Sequence, residues 1–400
     1  MRVFVIVTSV LLVFSSVTIL GEKDEIEKML EMVNEEELHE YVSTIQSFGE
    51  HPTGSEACNE VKEYLVNEFE NYGLAVTTIH WKNGKYEGDN VIATIAGKDN
   101  ATLILSAHYD SYPTSPGADD DGSGISCLLM AAKIMASYSF QHTIKFVAFS
   151  GEEQGMLGSQ KYVRMLYGEN TDIIADINVD TVGHVASEEG GRLLRVLSDE
   201  ASLWITDVAE SVAERYNIGL SLYRHGNFPA GDHQSFIDYG YEAVFLVEYD
   251  FNENMHTPND TIEHVNISYL AKVCKLVLAS AATIANENFP IRAKFIHPKM
   301  GRIYFGDREI IEISKAFPII IGRIHSEVLI DGNEGIKRVE FYFDGELKGF
   351  SYSAPHVYNY TNRAFFTHEI KARAVGEISS DICRIKVRVF NILPPGPPHG

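Results

Sequence analysis

Hydrophobic and polar positions follow two different periods along the first two thirds of the chain. The amphipathic stretches, whose helical spacing predicts helices, are residues 56–72, 125–138, 200–216 and 268–288. Short apolar runs between them predict strands at 91–95, 103–106, 144–149, 177–179 and 243–247. Several of these runs are continuously apolar, as strands covered on both faces by helices are. Residues 22–288 are therefore expected to form an α/β domain, a three-layer α/β/α sandwich around a mostly parallel sheet.

From Ile291 onward the helical period stops, and short strands and turns replace it. Residues 339–343 and 346–347 alternate around Asp344-Gly345, a pattern typical of a β-hairpin. Further strands are predicted at 328–330, 368–374 and 384–390. We expect residues 291–395 to form an all-β, immunoglobulin-like sandwich domain. Its role stays open between a spacer or stability module and cell-surface attachment.

The N-terminus has the layout of an export signal. Arg2 precedes an apolar run from Val3 to Leu20, and a charged stretch begins at Glu22. This predicts a signal peptide over residues 1–21 and a secreted or cell-surface protein. Residues 18–21 make a poor cleavage site, so an uncleaved anchor remains an alternative. No later stretch is judged long and apolar enough to cross a bilayer.

Charge and cysteine content exclude some partners and leave the redox state open. The 400 residues contain 33 Lys and Arg against 56 Asp and Glu, a net charge of −23. Such a surface repels nucleic acids and anionic membranes, so neither is expected as a partner. None of the four cysteines has the CxxC spacing of a metal or redox site, and both free thiols and disulfides remain possible.

Candidate ligand residues follow four of the predicted strands. They are His108 and Asp110 after 103–106, Glu152 and Glu153 after 144–149, Asp180 after 177–179, and His256 after 243–247. In open parallel sheets, ligands bind in the crevice beyond the carboxyl ends of the strands. The four loops are therefore expected to meet at one site.

A fifth cluster, Asp119-Asp120-Asp121, precedes the helix predicted near Ile125. These residues suit a helix N-terminus, where acidic side chains cap the helix and complement its dipole. Three adjacent carboxylates also repel one another, and a divalent cation is the simplest partner that neutralises them. Both readings stay open at this point, and the residue pattern does not choose among the three aspartates.

Imidazole and carboxylate ligands without thiolates suit Zn²⁺, with Mn²⁺ or Co²⁺ as chemical substitutes. One catalytic zinc usually has three protein ligands, and two histidines with at least three carboxylates are more than that. Two ions that share a carboxylate and a bridging water or hydroxide would have a place for every ligand. Neighbouring side chains at Glu152 and Glu153 point apart, so one can bind metal while the other acts as general base. Asp110 is expected to accept a hydrogen bond from the second ring nitrogen of His108.

With these residues identified, the chain resembles metallopeptidase family 28, the secreted two-zinc aminopeptidases and their relatives. The matching motifs are Ser106-Ala-His-Tyr-Asp-Ser111, Pro116-Gly-Ala-Asp-Asp-Asp-Gly-Ser-Gly124, Phe149-Ser-Gly-Glu-Glu-Gln-Gly-Met-Leu-Gly-Ser159, Asn178-Val-Asp-Thr-Val-Gly183 and His256-Thr-Pro-Asn-Asp-Thr261. The likeness covers about residues 38–288 and leaves out the C-terminal domain.

The resemblance implies a role for each motif residue. Asp120 would bridge two Zn²⁺ ions, with His108 and Asp180 on one ion and Glu153 and His256 on the other. Glu152 would be the general base, Asp120 and Asp121 would share a cis peptide, and the segment Asp232–Phe236 would line the substrate pocket. The resemblance implies a dizinc metallo-aminopeptidase that hydrolyses the N-terminal bond of peptides with a free N-terminus. A carboxypeptidase or glutaminyl cyclase on the same frame, or a non-catalytic surface-binding protein, are the alternatives.

Overall fold

The computed structural model describes residues 24–289, 291–313 and 317–392, so the predicted signal peptide lies outside the described residues. The helices are α1 (Glu25–Glu31), α2 (Glu35–Ser47), α3 (Glu56–Asn71), α4 (Gly122–Met135), α5 (Leu157–Gly168), α6 (Leu203–Arg215), α7 (His233–Asp238) and α8 (Ile267–Ile284), with 3₁₀ turns at Gly190–Arg192 and Ile262–His264. The first eight strands are β1 (Ala75–Asn83), β2 (Tyr86–Ile95), β3 (Thr102–His108), β4 (Thr143–Phe149), β5 (Ile173–Val179), β6 (Leu193–Ser198), β7 (Ser221–Gly226) and β8 (Ala243–Glu248).

These eight strands form one sheet in the order β1-β2-β4-β3-β5-β8-β6-β7. The central strands β4, β3, β5 and β8 are parallel, whereas β2 pairs antiparallel with β4 and β6 antiparallel with β8. Every residue of β3 and of β5 is buried, because helices cover both faces of the sheet. The predicted α/β sandwich with its parallel centre is confirmed, and the antiparallel flanks are an addition to it.

Helix α8 corrects one expectation from the sequence. By length and composition Ile267–Ile284 could cross a membrane, although no later stretch was expected to qualify. In the fold, α8 packs against α4, α6 and α2, and its apolar residues belong to the core of the α/β domain. The core helix of a folded domain can pass the same test of length and composition as a membrane span, and most of α8 is buried in the protein.

The C-terminal strands are β9 (Ile291–His297), β10 (Arg302–Phe305), β11 (Arg308–Glu312), β12 (Ile319–Ile321), β13 (Ile324–Gly332), β14 (Arg338–Phe343), β15 (Glu346–Ser351), β16 (His356–Tyr360), β17 (Ala364–Val375) and β18 (Ser380–Asn391). They form a seven-stranded sheet, β11-β10-β12-β18-β17-β14-β15, and a three-stranded sheet, β16-β13-β9. Asp344 and Gly345 have positive φ and join β14 to β15, as the hairpin pattern predicts. The all-β sandwich is confirmed, and its immunoglobulin-like character stays a prediction. The four cysteines are buried free thiols.

The sandwich is attached to the amino-terminal edge of the parallel strands. Arg292 donates to the Asp172 carboxylate and to the Ile173 carbonyl, both at 2.8 Å, where β5 begins. Arg384 of β18 forms an ion pair with Asp199, and Lys371 pairs with Glu200. A cavity of about 810 Å³ lies between the two parts, and none of the candidate ligands lines it. The opposite, carboxyl-terminal edge of the sheet carries the candidate site.

Candidate metal centre

Four loops bring the five candidate ligands together because β4, β3, β5 and β8 are neighbours in the sheet and run in one direction. His108 Nε2 lies 3.1 Å from Asp120 Oδ1 and 3.7 Å from Asp180 Oδ2. His256 Nε2 lies 3.0 Å from Asp120 Oδ2 and 3.4 Å from Glu153 Oε1. The residues thus form two groups that share Asp120, one carboxylate oxygen facing each histidine.

The donor set fits a pair of divalent cations. Within each group the potential ligand atoms lie within 4.8 Å of one another. Glu153 Oε1 is buried and accepts no hydrogen bond from the described residues. The nearby carboxylates of Asp120 and Glu153 raise the pKa of His256 to about 10, which shows how strongly this site favours positive charge. Nitrogen and carboxylate oxygen donors without sulfur suit Zn²⁺.

The two aspartates beside Asp120 have other partners. The Asp121 carboxylate accepts hydrogen bonds from the backbone N–H groups of His108, Gly124 and Thr181, at 3.1, 2.9 and 3.2 Å. It therefore caps α4 and ties together the loops that carry His108 and Asp180. Asp119 accepts from the Gly183 N–H and from Asn252 Nδ2, both at 2.7 Å. Protein donors therefore satisfy the two outer carboxylates, and Asp120 is the one of the three that faces the histidines.

Asp260 holds the same turn in place, a role that the sequence did not indicate. Its carboxylate accepts from the N–H groups of Asp119 and Asp120, at 2.9 and 3.2 Å, and from the Ser115 hydroxyl. Burial raises the pKa of Asp260 to about 7. The peptide between Asp120 and Asp121 is cis, as the resemblance implies. Asp260 lies in the His256–Thr261 motif, and this motif was the feature of the sequence that could have drawn attention to the residue.

Asp110 supports the site differently from what was expected. His108 Nδ1 lies 2.9 Å from the backbone carbonyl oxygen of Asp110 but 3.8 Å from its carboxylate, so the predicted carboxylate–imidazole hydrogen bond is wrong. The carboxylate turns instead toward the loop after β4. It accepts from the N–H groups of Gly151, Glu152 and Glu153, at 2.8, 3.2 and 3.4 Å. Asp110 thus positions both glutamates through their backbone.

Replacing Asp110 with alanine is expected to lower the zinc affinity of the site by about 10- to 100-fold, the usual cost of losing a group that orients ligands. Three buried N–H groups would lose their acceptor, and the loop that carries Glu152 and Glu153 would shift. Asp110→Asn keeps one oxygen acceptor and should fall between alanine and wild type. Zinc titration measures the effect, and an alanine variant with wild-type affinity would contradict this role.

Glu152 is separate from both ligand groups. Within the described part of the chain its carboxylate makes no hydrogen bond or ion pair, and it belongs to neither cluster of metal-type ligands. Burial raises the pKa of Glu152 well above its usual range. A carboxylate beside the site that can accept and hold a proton has the properties of a general base. The expected division between Glu152 and Glu153 agrees with this geometry.

The remaining candidates lie around the centre. Asp232 is buried at the start of α7, and burial raises its pKa to about 7. His233 points elsewhere, since it stacks on Phe245 and its Nε2 contacts Asn227. His184, His225 and His264 belong to neither ligand group.

The fold and the site together define a class, α/β proteins with a histidine–carboxylate metal centre at the carboxyl edge of a parallel sheet. Residues 90–281 match the model of peptidase family M28, so this part of the chain is a peptidase family M28 domain.

Relatives and solved structures agree with this assignment. Leucine aminopeptidase 1 of Neurospora crassa is 27% identical over 293 residues, which cover 67% of this chain and 73% of that protein. The Bacillus subtilis zinc aminopeptidase structure is similar with a TM-score of 0.57 and 18% identity, over 64% of this chain and 98% of the other. Fimbriiglobus ruber glutaminyl cyclase gives a TM-score of 0.55 and 18% identity, over 62% and 94%. At these identities the two structures support the fold alone.

Proposed function

We propose that this protein is a zinc-dependent metallo-aminopeptidase that hydrolyses the N-terminal bond of peptides. The observation that carries the proposal is the pair of ligand groups joined at Asp120, with Glu152 beside them and outside both. The family M28 domain and the aminopeptidases named among the relatives support the same activity. Two zinc ions are proposed because neither ligand group alone uses all five ligands.

When bound, zinc would polarise the scissile carbonyl and acidify the attacking water. His108 and Asp180 would hold one ion, Glu153 and His256 the other, and Asp120 both. The Glu152 carboxylate takes the proton of the attacking water and then delivers it to the departing amine. Asp110 keeps Glu152 at the required position through the backbone N–H groups of the loop.

Acidic side chains outside the two ligand groups favour a substrate with a free amino terminus. Glu152, Asp180 and Asp232 are all acidic and lie close enough to influence one another electrostatically. Glu152 and Asp232 belong to neither ligand group, so their oxygens can accept hydrogen bonds from a substrate ammonium group, whereas the terminal carboxylate of a carboxypeptidase substrate needs a donor that they do not supply. The cyclase alternative rests on fold similarity to a glutaminyl cyclase.

Purified protein incubated with one peptide in free and N-acetylated forms tests the activity. We expect hydrolysis of the free peptide only, starting at its first residue, and loss of activity with a chelator that added zinc restores. Cleavage of the acetylated peptide would indicate an endopeptidase or carboxypeptidase instead. Cyclisation of an N-terminal glutamine without hydrolysis would favour the cyclase.

Export is also part of the proposal. Its support is the sequence alone, since Arg2 and the apolar run Val3–Leu20 have the form of a signal segment. A secreted or cell-surface location would expose the enzyme to peptides outside the cytoplasm. Fractionation of the producing cell tests this location directly.

A further inference from the structure

His256 is the least enclosed of the five candidate ligands. Its side chain is 42% exposed, whereas the side chains of the other four are between 2% and 9% exposed. It lies in the long loop between β8 and α8, and its backbone has a left-handed φ of 62°. A loop residue of this kind needs external contacts to keep its ring in one orientation.

The second ring nitrogen gives His256 no such contact. Metal-binding histidines nearly always donate their other N–H to a fixed acceptor, which sets the ring orientation. His108 follows this rule through the Asp110 carbonyl oxygen. For His256, no hydrogen bond to Nδ1 is found among the described residues, and its Nε2 faces Asp120 and Glu153. Another interaction has to orient this imidazole.

Tyr112 makes that interaction. Its ring lies flat against the imidazole of His256, with the ring centroids 4.4 Å apart and the planes at 14°. Two residues further along, the Thr114 hydroxyl donates to the His256 carbonyl oxygen at 3.0 Å. Both residues belong to the loop that also contains Asp110. This loop therefore contacts the His256 backbone and one face of its ring.

We infer that Tyr112 is a positioning residue for His256 and, through the stacked ring, sets the zinc affinity of the site formed by Asp120, Glu153 and His256. The inference rests on the proposed two-zinc function. The second site provides an internal reference, because His108 is buried and oriented by a hydrogen bond of its own. Loss of the Tyr112 ring should therefore weaken one zinc site and spare the other.

The test compares Tyr112→Leu, which keeps bulk without an aromatic ring, with Tyr112→Phe, which keeps the ring without the hydroxyl. Tyr352→Ala is the matched control, because Tyr352 is also exposed and stacked on an aromatic ring, Phe350, but lies in the sandwich. Each protein is stripped of metal and titrated with zinc against a chromophoric chelator. We expect the leucine variant to bind one of two zinc ions about tenfold more weakly. The phenylalanine variant and the control should match wild type.

Three outcomes would overturn the inference while leaving the proposed function intact. They are unchanged affinity in Tyr112→Leu, equal weakening of both sites, and a phenylalanine variant that behaves like leucine. Equal weakening would show that Tyr112 only stabilises the fold. A wild-type protein that binds fewer than two zinc ions would instead refute the two-zinc function, and with it this inference. That result is seen in the wild-type titration itself, so the two failures are distinguishable.

Discussion

Replacing Glu152 with glutamine is expected to reduce peptide hydrolysis by about 10²- to 10⁴-fold while zinc binding stays intact. The amide has nearly the same size as the carboxylate but cannot accept the proton of the attacking water. Metal content should not change, because Glu152 belongs to neither ligand group. Steady-state kinetics on a free peptide and zinc analysis of the same preparation measure the two quantities together.

Glu153→Gln is the matched control, since the two residues are adjacent and the chemical change is identical. Glu153 Oε1 lies 3.4 Å from His256 Nε2 within one ligand group, so this variant should lose zinc as well as activity. Added zinc should partly restore Glu153→Gln and leave Glu152→Gln inactive. If Glu152→Gln retained near wild-type turnover, another group would have to be the base.

The parallel centre of the fold could be predicted because strands that are buried on both faces consist almost entirely of apolar residues. The runs 103–106 and 144–149 are apolar, and they lie within β3 and β4. Strand β7 has no such signal, since five of its six residues are exposed and the sixth is only partly buried. Edge strands of this kind depend on pairing with a neighbour, which a local pattern does not record.

The location of the site was also predictable, because ligands gather where parallel strands end. The directions of individual side chains in tight turns could not be predicted. Asp120 faces both histidines while Asp121 turns back to cap α4, a difference set by the backbone of three consecutive aspartates. Likewise, the backbone carbonyl oxygen of Asp110, rather than its carboxylate, lies at hydrogen-bond distance from His108. The spacing of residues in the sequence does not show whether the backbone carbonyl or the side-chain carboxylate of an aspartate accepts a hydrogen bond.

The position of the sandwich bears on its role. It contacts the amino-terminal edge of the sheet through Arg292 and Arg384, on the side opposite the metal centre. It therefore supplies no residue to either ligand group. A module placed there does not contribute to the metal centre, which is compatible with a stabilising role and with surface attachment. Attachment stays a prediction from the sequence.

Replacing Asp120 with asparagine is expected to weaken both zinc sites at once, by more than about 100-fold, since even ligand-supporting groups cost 10- to 100-fold when lost. Asp120 offers one carboxylate oxygen to each histidine group, and the amide keeps a single neutral oxygen. Burial alone would raise the pKa of Asp120, but hydrogen bonds from His108 and His256 lower it, so the residue supplies a negative charge. Zinc titration of the apo-protein measures both affinities.

Asp119→Asn and Asp121→Asn separate this effect from a general loss of charge. Both neighbours accept hydrogen bonds from protein groups, so their amide variants should still bind two zinc ions, with a much smaller loss of affinity than Asp120→Asn. The three variants make the same chemical change at consecutive positions, and only the central one lies between the histidines. Unchanged zinc stoichiometry in Asp120→Asn, or equal loss in all three variants, would refute the bridging role. Zinc binding is therefore expected to depend on the carboxylate that lies between the two histidines and not on the number of carboxylates in the turn.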